Sequence, residues 1–372
     1  MFPLSKGKVA KQAHVGLPEG TYEEEHGREA FEGRASHLYR THPPTAWIRI
    51  DGDLRPRAFD LNGLAPSDAT DVAGDWQRIL HNEDLAIFVS RRTEAMPWFF
   101  RDADGDLCYF VHQGTGLLET DYGPLTYRAG DYLVLPKGTT HRVVPDAKSE
   151  TFLYAIEGAG EYRLPDKGIL GRHALFDPGV IETPEPDPHD EPGEYEVRVK
   201  RAGGITSLVY PFHPLDVVGW QGDLCPMRIN VEDFRPVVSP RYHLPPSVHV
   251  TFLNDGFEIG TFAPRPTETG DPEALRVPFF HSNIDKDEVL FYHRGQFFSR
   301  AGIGEAFITH HPQGLHHGPQ QAAIEASKTK EFADEYAIMV EADRPLEAGD
   351  ALSAVEIDGY ATSWAKGMGL LD

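Results

Sequence analysis

The sequence predicts an all-β protein made of two successive barrel-type units with few short helices, and three observations carry that expectation. The chain has 372 residues, more than one small barrel or sandwich needs. Its 36 Gly and 30 Pro supply turns throughout rather than long helices. Between those turns recur strand-length runs rich in β-branched and aromatic residues. In order they are AIFVS at 86–90, CYFVH at 108–112, YLVLP at 132–136, TFLYAI at 151–156, HVTFL at 249–253 and VLFYH at 289–293. Helical periodicity is confined to 319–333, PQQAAIEASKTKEFA, which Pro319 opens and an Ala, Ile, Ala, Phe face runs along. The stretch 177–194, DPGVIETPEPDPHDEPGE, crowds proline with acids, keeps no apolar pattern and reads as a connector. The expected domains are therefore 1–190 and 191–372.

Charge narrows the function classes. With 35 Lys and Arg against 58 Asp and Glu the formal charge is −23, which repels phosphate backbones and anionic lipid at long range. No nucleic-acid partner and no membrane partner are expected. An anionic substrate would need a local cation or metal to reverse the potential. Cys108 and Cys225 are the only cysteines, too few for a thiolate zinc site or a disulfide scaffold, and both are expected to be reduced core residues. The first residues, MFPLSKGKVAKQAHVG, lack a signal-type apolar core, and no run of about 18 apolar residues occurs, so the cytoplasm is the default expectation.

The halves share a repeat of turn chemistry. Gly130-Asp131 leads to Pro136-Lys137-Gly138-Thr139-Thr140-His141, and Pro312-Gln313-Gly314-Leu315-His316-His317 repeats the P-x-G-x-x-H frame. Pro and Gly set a tight turn, and the histidine that follows enters the next strand pointing to a fixed side. The frame resembles the second motif of the cupins, jelly-roll barrels that bind metal inside. Their first motif, H-x-H, Glu, then Gly seven residues after the Glu, is matched in the second half by His281-Ser282-Asn283, Glu288 and Gly295. In the first half Gly114 aligns likewise, but Leu107 falls where the Glu belongs and no upstream His appears. The resemblance implies a bicupin, two jelly-roll barrels in one chain, whose first barrel is degenerate and without a metal site.

His281, Glu288 and His317 are the candidate metal ligands. Two imidazoles and one carboxylate leave about three coordination positions open, the arrangement by which non-haem Fe(II) oxygenases hold substrate and dioxygen together. Iron leads, and zinc would also accept this donor set, with hydrolytic or isomerising chemistry instead. The segment also carries His293, His310, His311 and His316. A lone histidine in a β-rich core is usually only hydrogen-bonded, so the frame, not the count, selects the three. Asn283 is expected to orient His281 from behind.

Within the cupins, FFHSNIDKDEVLFYHRGQF with HHGPQ and PLDVVGWQGDLCP resembles the homogentisate 1,2-dioxygenase family, and SHLYRTHPPTAW and NEDLAIFVSRR extend the likeness over most of the chain. The resemblance implies iron held by His281, Glu288 and His317. The family's acid/base histidine of its W-H-G motif falls on Gln221, which cannot take a proton. Its substrate-contacting tyrosine falls on Phe297, which lacks the hydroxyl. His311 keeps the second pocket histidine and is the candidate catalytic base, with His310 and His316 beside it. Gln221, Phe297, His316 and Tyr292 are the expected substrate contacts. The aromatic set Phe279, Phe280, Phe291, Tyr292, Phe297 and Phe298 could line a flat pocket or fill the core, and Arg265, Arg294 or Arg300 could meet a carboxylate. The implied activity is Fe(II)-dependent cleavage of a hydroxylated aromatic acid by dioxygen, with homogentisate to maleylacetoacetate leading. The alternatives are another hydroquinone or gentisate-type ring, or an oxygen-independent cupin isomerase. A homo-oligomer, trimer or hexamer, is also implied.

Overall fold

The computed structural model describes residues 4–147, 149–276, 279–297, 299–300 and 302–371. The chain opens with β1 (Tyr22–Gly27), β2 (Ala35–Arg40) and β3 (Arg57–Asp60). It continues through β4 (Gln77–His81), β5 (Leu85–Arg92), β6 (Phe99–Asp102), β7 (Asp106–Gln113), β8 (Thr115–Thr120), β9 (Leu125–Arg128), β10 (Asp131–Leu135), β11 (Thr140–Pro145) and β12 (Thr151–Gly158). Then come β13 (Pro192–Arg201), β14 (Gly204–Phe212), β15 (Met227–Asn230), β16 (Val250–Asn254), β17 (Phe257–Phe262), β18 (Arg265–Pro266), β19 (Phe280–Asn283) and β20 (Asp287–Gly295). The last strands are β21 (Phe307–His311), β22 (Phe332–Ala333), β23 (Glu335–Ala342) and β24 (Glu347–Ala348). Each predicted run lies in or overlaps a strand. The predicted helix shrinks to α1 (Gln321–Ser327), because Phe332 and Ala333 leave it to pair with Pro266 and Arg265. A second short helix, α2 (Ser363–Gly367), closes the chain. Among the described residues no helix is long and apolar enough to cross a membrane.

The result is an all-β bicupin. In the first barrel a seven-stranded sheet, β15-β10-β7-β12-β5-β4-β24, faces a six-stranded sheet, β14-β13-β6-β11-β8-β9. Phe88, Trp98, Phe100, Tyr109, Leu133 and Leu153 fill the space between them. The second barrel is built on β16-β17-β23-β20-β21-β3 and the smaller sheet β19-β1-β2.

The barrels meet back to back through β7 and β20. Leu107, Tyr109 and Val111 point into the first barrel, whereas Cys108 and Phe110 pack with Val289 and Phe291 in the core between barrels. Because both faces of β7 are buried, its sequence reads as an unbroken apolar run with no visible alternation. Cys108 is buried in that core as expected, but Cys225 is only half-buried.

Strand pairing crosses residue 190 in both directions. β1 pairs in parallel with β19 and β3 pairs with β21, so the chain's opening strands extend the second barrel. Conversely β13 pairs with β6 and β15 with β10, adding later strands to the first barrel. The acid-rich connector is thus a surface crossing rather than the end of the first barrel's strand pairing. The repeat itself is real at the backbone. Gly114 and Gly295, each seven residues past the Leu107/Glu288 position, have φ of +99° and +112°. A Cβ there would lie 2.5 Å from the Glu150 carbonyl oxygen or 2.4 Å from that of Asp334, so no other residue fits either turn.

Candidate metal centre

Three separate segments deliver the donors. His281 lies on β19 and Glu288 near the start of β20. His317 lies in the loop after β21 and is tied to His281 by reciprocal backbone hydrogen bonds, each 2.9 Å. Gly318 permits this close approach: with φ +152°, its Cβ would sit 2.7 Å from the Phe280 ring. The Gly318 carbonyl accepts the Trp364 indole N–H at 3.0 Å, which fixes the loop from the α2 side.

One Glu288 oxygen, Oε2, stands 3.7 Å from His281 Nε2 and 3.4 Å from His317 Nε2. One donor atom from each of the three residues lies within 4.8 Å of the others, and all three residues are buried. His281 Nδ1 donates to the Phe279 carbonyl at 3.2 Å, which leaves Nε2 as the lone-pair nitrogen facing Glu288. His281 Nε2 and both ring nitrogens of His317 are buried without a hydrogen-bond partner. Such orphaned nitrogens cost about 1–3 kcal/mol each unless something meets them. Two imidazoles and a carboxylate with free lone pairs fit a divalent transition metal.

His311 stands directly behind this set. Its Nδ1 donates to the second Glu288 oxygen at 2.8 Å, and its Nε2 accepts from the Tyr360 hydroxyl at 2.9 Å. Its ring stacks on that of His317 at 4.5 Å. Burial pushes the Glu288 pKa up, but His317, His281 and His311 together hold it well below the carboxylate range. Burial and the neighbouring His281 depress the His317 pKa to about 4, and burial with His317 takes His311 well below its ordinary value. Arg300 is also buried nearby, over the Trp364 ring. Burial lowers its pKa, yet Tyr360, Tyr292 and Glu288 more than offset that and keep it a cation.

The other expected residues divide. Tyr292 is buried with its hydroxyl 3.2 Å from Thr309, and Phe297 packs half-buried against its ring at 4.9 Å. Phe298 lies outside the described residues. Asn283 is buried, but neither amide atom is bonded, so the Phe279 carbonyl and not Asn283 orients His281. His316 pairs with Glu24 at 2.8 Å, next to Arg40, and does not join the three donors. His310 bonds to Asp287 at 2.8 Å. Gln221 is exposed, next to Trp220, which packs on Tyr122 of the first barrel. Tyr360 is the residue that sequence reasoning missed: IDGYATSW carries no motif, and only the fold brings it to His311.

A family model described as the N-terminal part of homogentisate 1,2-dioxygenase matches residues 67–231. A protein of Saccharolobus solfataricus named as a candidate dioxygenase is 33% identical over 98% of this chain and 99% of its own length. The homogentisate 1,2-dioxygenase of Bradyrhizobium diazoefficiens is 27% identical over 91% of this chain and 79% of its own length. Among solved structures, a cupin 2 conserved barrel protein from Leptotrichia buccalis aligns with 77% of this chain and 96% of its own at TM-score 0.37 and 10% identity. With a full-length relative at one-third identity and the family's own N-terminal signature, the chain belongs to the homogentisate 1,2-dioxygenase family.

Proposed function

We infer that the chain is a non-haem Fe(II) dioxygenase that cleaves the ring of a hydroxylated aromatic acid, with homogentisate as the lead substrate and maleylacetoacetate as its product. The observation that carries this reading is the buried His281, Glu288 and His317 set, whose inward nitrogens have no partner of their own. A ferrous ion bound there would supply the open positions at which substrate and dioxygen are brought together. The dioxygenase names of both relatives support iron over zinc.

The surrounding side chains account for the remaining tasks. The Phe279 carbonyl and His311 preset the donors, one holding the His281 tautomer and the other the Glu288 carboxylate. His311 Nε2 is the free lone-pair nitrogen of the ring that braces Glu288, and it now accepts from Tyr360. A substrate hydroxyl that takes the place of the Tyr360 hydroxyl would pass its proton to that nitrogen. Arg300, a buried cation in an acidic protein, is suited to the substrate carboxylate. Tyr292, Phe297 and Trp364 give flat apolar walls that keep water away from the ring. Since Gln221 cannot take a proton and Phe297 donates no hydrogen bond, discrimination among rings rests on Arg300, Tyr360 and the shape of the walls.

The test is oxygen uptake by anaerobically purified, Fe(II)-loaded protein with homogentisate, gentisate and hydroquinone in parallel. Uptake with homogentisate that vanishes in Glu288→Ala supports the reading. Uptake with another ring alone moves the substrate, and silence with all three overturns the dioxygenase assignment.

A further inference from the structure

We propose a second metal site, for a zinc-type divalent cation, held by His14, by Glu25 on β1 and by His37 on β2. It is independent of the function assigned to the first. Glu25 Oε2 lies 4.0 Å from His14 Nε2 and 3.7 Å from His37 Nε2, and donor atoms of the three residues fall within 4.8 Å of one another. Tetrahedral zinc with bonds of about 2.0–2.1 Å requires donor separations of about 3.4 Å, so the two Glu25 contacts would each shorten by a few tenths of an ångström on binding. These spacings match those of His281, Glu288 and His317.

A carboxylate behind the imidazoles makes this more than a chance cluster. Glu23 Oε2 accepts from His14 Nδ1 at 2.8 Å, and Glu23 Oε1 lies 3.3 Å from His37 Nδ1. One carboxylate thus faces the Nδ1 side of both rings and leaves both Nε2 lone pairs turned to Glu25, the outer-shell arrangement that metal-bound histidines use. Tyr39 donates to the same Glu23 at 3.1 Å. His14 reaches its place only through a left-handed backbone, φ +65°, which the Glu23 carboxylate pins by accepting the His14 N–H at 3.0 Å. Such a conformation is unfavourable for a non-glycine residue and is retained where the surroundings impose it. His14 is otherwise sandwiched on Phe279 at 4.2 Å, and Phe279 in turn meets His281. On β1, Glu25 stands in register with His281 on β19. The cation would clamp the opening segment onto β1 and β2, with β1 paired to the strand that carries the first site's histidine.

A third group, Asp102, Asp104 and Glu157, differs in kind: the Lys200 ammonium contacts all three carboxylates and already supplies the positive charge.

The test is zinc stoichiometry. Chelator-stripped full-length protein is titrated with Zn(II) by calorimetry, and Co(II) substitution reads the visible spectrum of each site. Wild type should take two equivalents, Glu25→Gln and Glu288→Gln one each, and the double variant none, with far-ultraviolet circular dichroism reporting the fold. Glu23→Gln should weaken one class of site about 10- to 100-fold and leave the other unchanged. A wild-type stoichiometry that Glu25→Gln leaves unchanged, or the same equivalent lost in both single variants, would overturn the proposal. So would two equivalents in Glu25→Gln, and if that variant does not fold, His37→Gln replaces it.

Discussion

His141 and His317 close the same P-x-G-x-x-H frame in the two barrels, yet one is sealed into hydrogen bonds and the other is left open. In the first barrel Tyr109 bonds to His141 Nε2 at 2.8 Å, and Nδ1 lies 3.2 Å from the Thr139 carbonyl. Leu107 stands where the second barrel has Glu288. In the second barrel neither nitrogen of His317 has a partner, and Glu288 Oε2 lies 3.4 Å from Nε2. The turn delivers an imidazole in both cases, and what surrounds it decides whether the imidazole is structural or a ligand. A histidine spared by its neighbours is the informative one, because burying an unmet nitrogen is disfavoured unless a ligand offsets it.

Removing the carboxylate that distinguishes the barrels should have the largest effect. Glu288→Ala is expected to reduce oxygen uptake to background and to lose the first metal equivalent, measured by turnover and elemental analysis. Full turnover would break the comparison at its centre. The reverse exchange, Leu107→Glu, places a carboxylate in the apolar interior that holds Tyr109, Val111 and Leu133. A cost of about 3–5 kcal/mol is expected in chemical denaturation. If added Fe(II) or Zn(II) restored that stability, His141 would be shown to be available after all. Tyr109→Phe is smaller. It strands His141 Nε2 in the core and should cost about 1–3 kcal/mol, whereas a neutral result would mean that the Tyr109 hydroxyl does not seal it.

Much of this was legible in the sequence. The strand runs, the two turn frames and the set His281, Glu288 and His317 depend on local chemistry, proline, glycine and short spacings, that a sequence displays. What stayed hidden depends on contacts between distant segments. Tyr360 reaches His311 from 49 residues away and His316 is drawn to Glu24 across 292. The parallel pairing of β1 with β19 leaves no local pattern either. The repeat also extends upstream in both halves. Asp106 and Asp287, each just before the Leu107/Glu288 position, accept the backbone N–H after the frame's proline, from Lys137 at 2.7 Å and from Gln313 at 2.9 Å. A conspicuous aspartate in each half is the signal that would have lengthened the motif. The helix expected over 319–333 forms but stops at Ser327 for the opposite reason, since a two-residue ladder with β18 outweighs a weak periodicity.

The smallest effect concerns positions where the barrels agree. His112 and His293 lie five residues past Leu107 and Glu288, and they meet each other between the barrels with Nδ1 atoms 3.0 Å apart, beside Phe291. Burial lowers the His112 pKa to about 4, and burial with the neighbouring His112 lowers that of His293 to about 3. An unfolded chain binds a proton at each near pH 6.5, so both groups favour the folded state above that pH. That contribution is lost as pH falls from about 6.5 towards the folded values, because only the unfolded chain gains protons there. From pH 7 to 5.5 each imidazole should cost about 1 kcal/mol of stability. His112→Phe should flatten that slope, read as denaturation midpoints against pH, because it removes one titrating group and leaves an apolar partner against Phe152 and Phe291. An unchanged slope would mean that the pair opens to water, and the back-to-back barrels would then be joined by their apolar core alone.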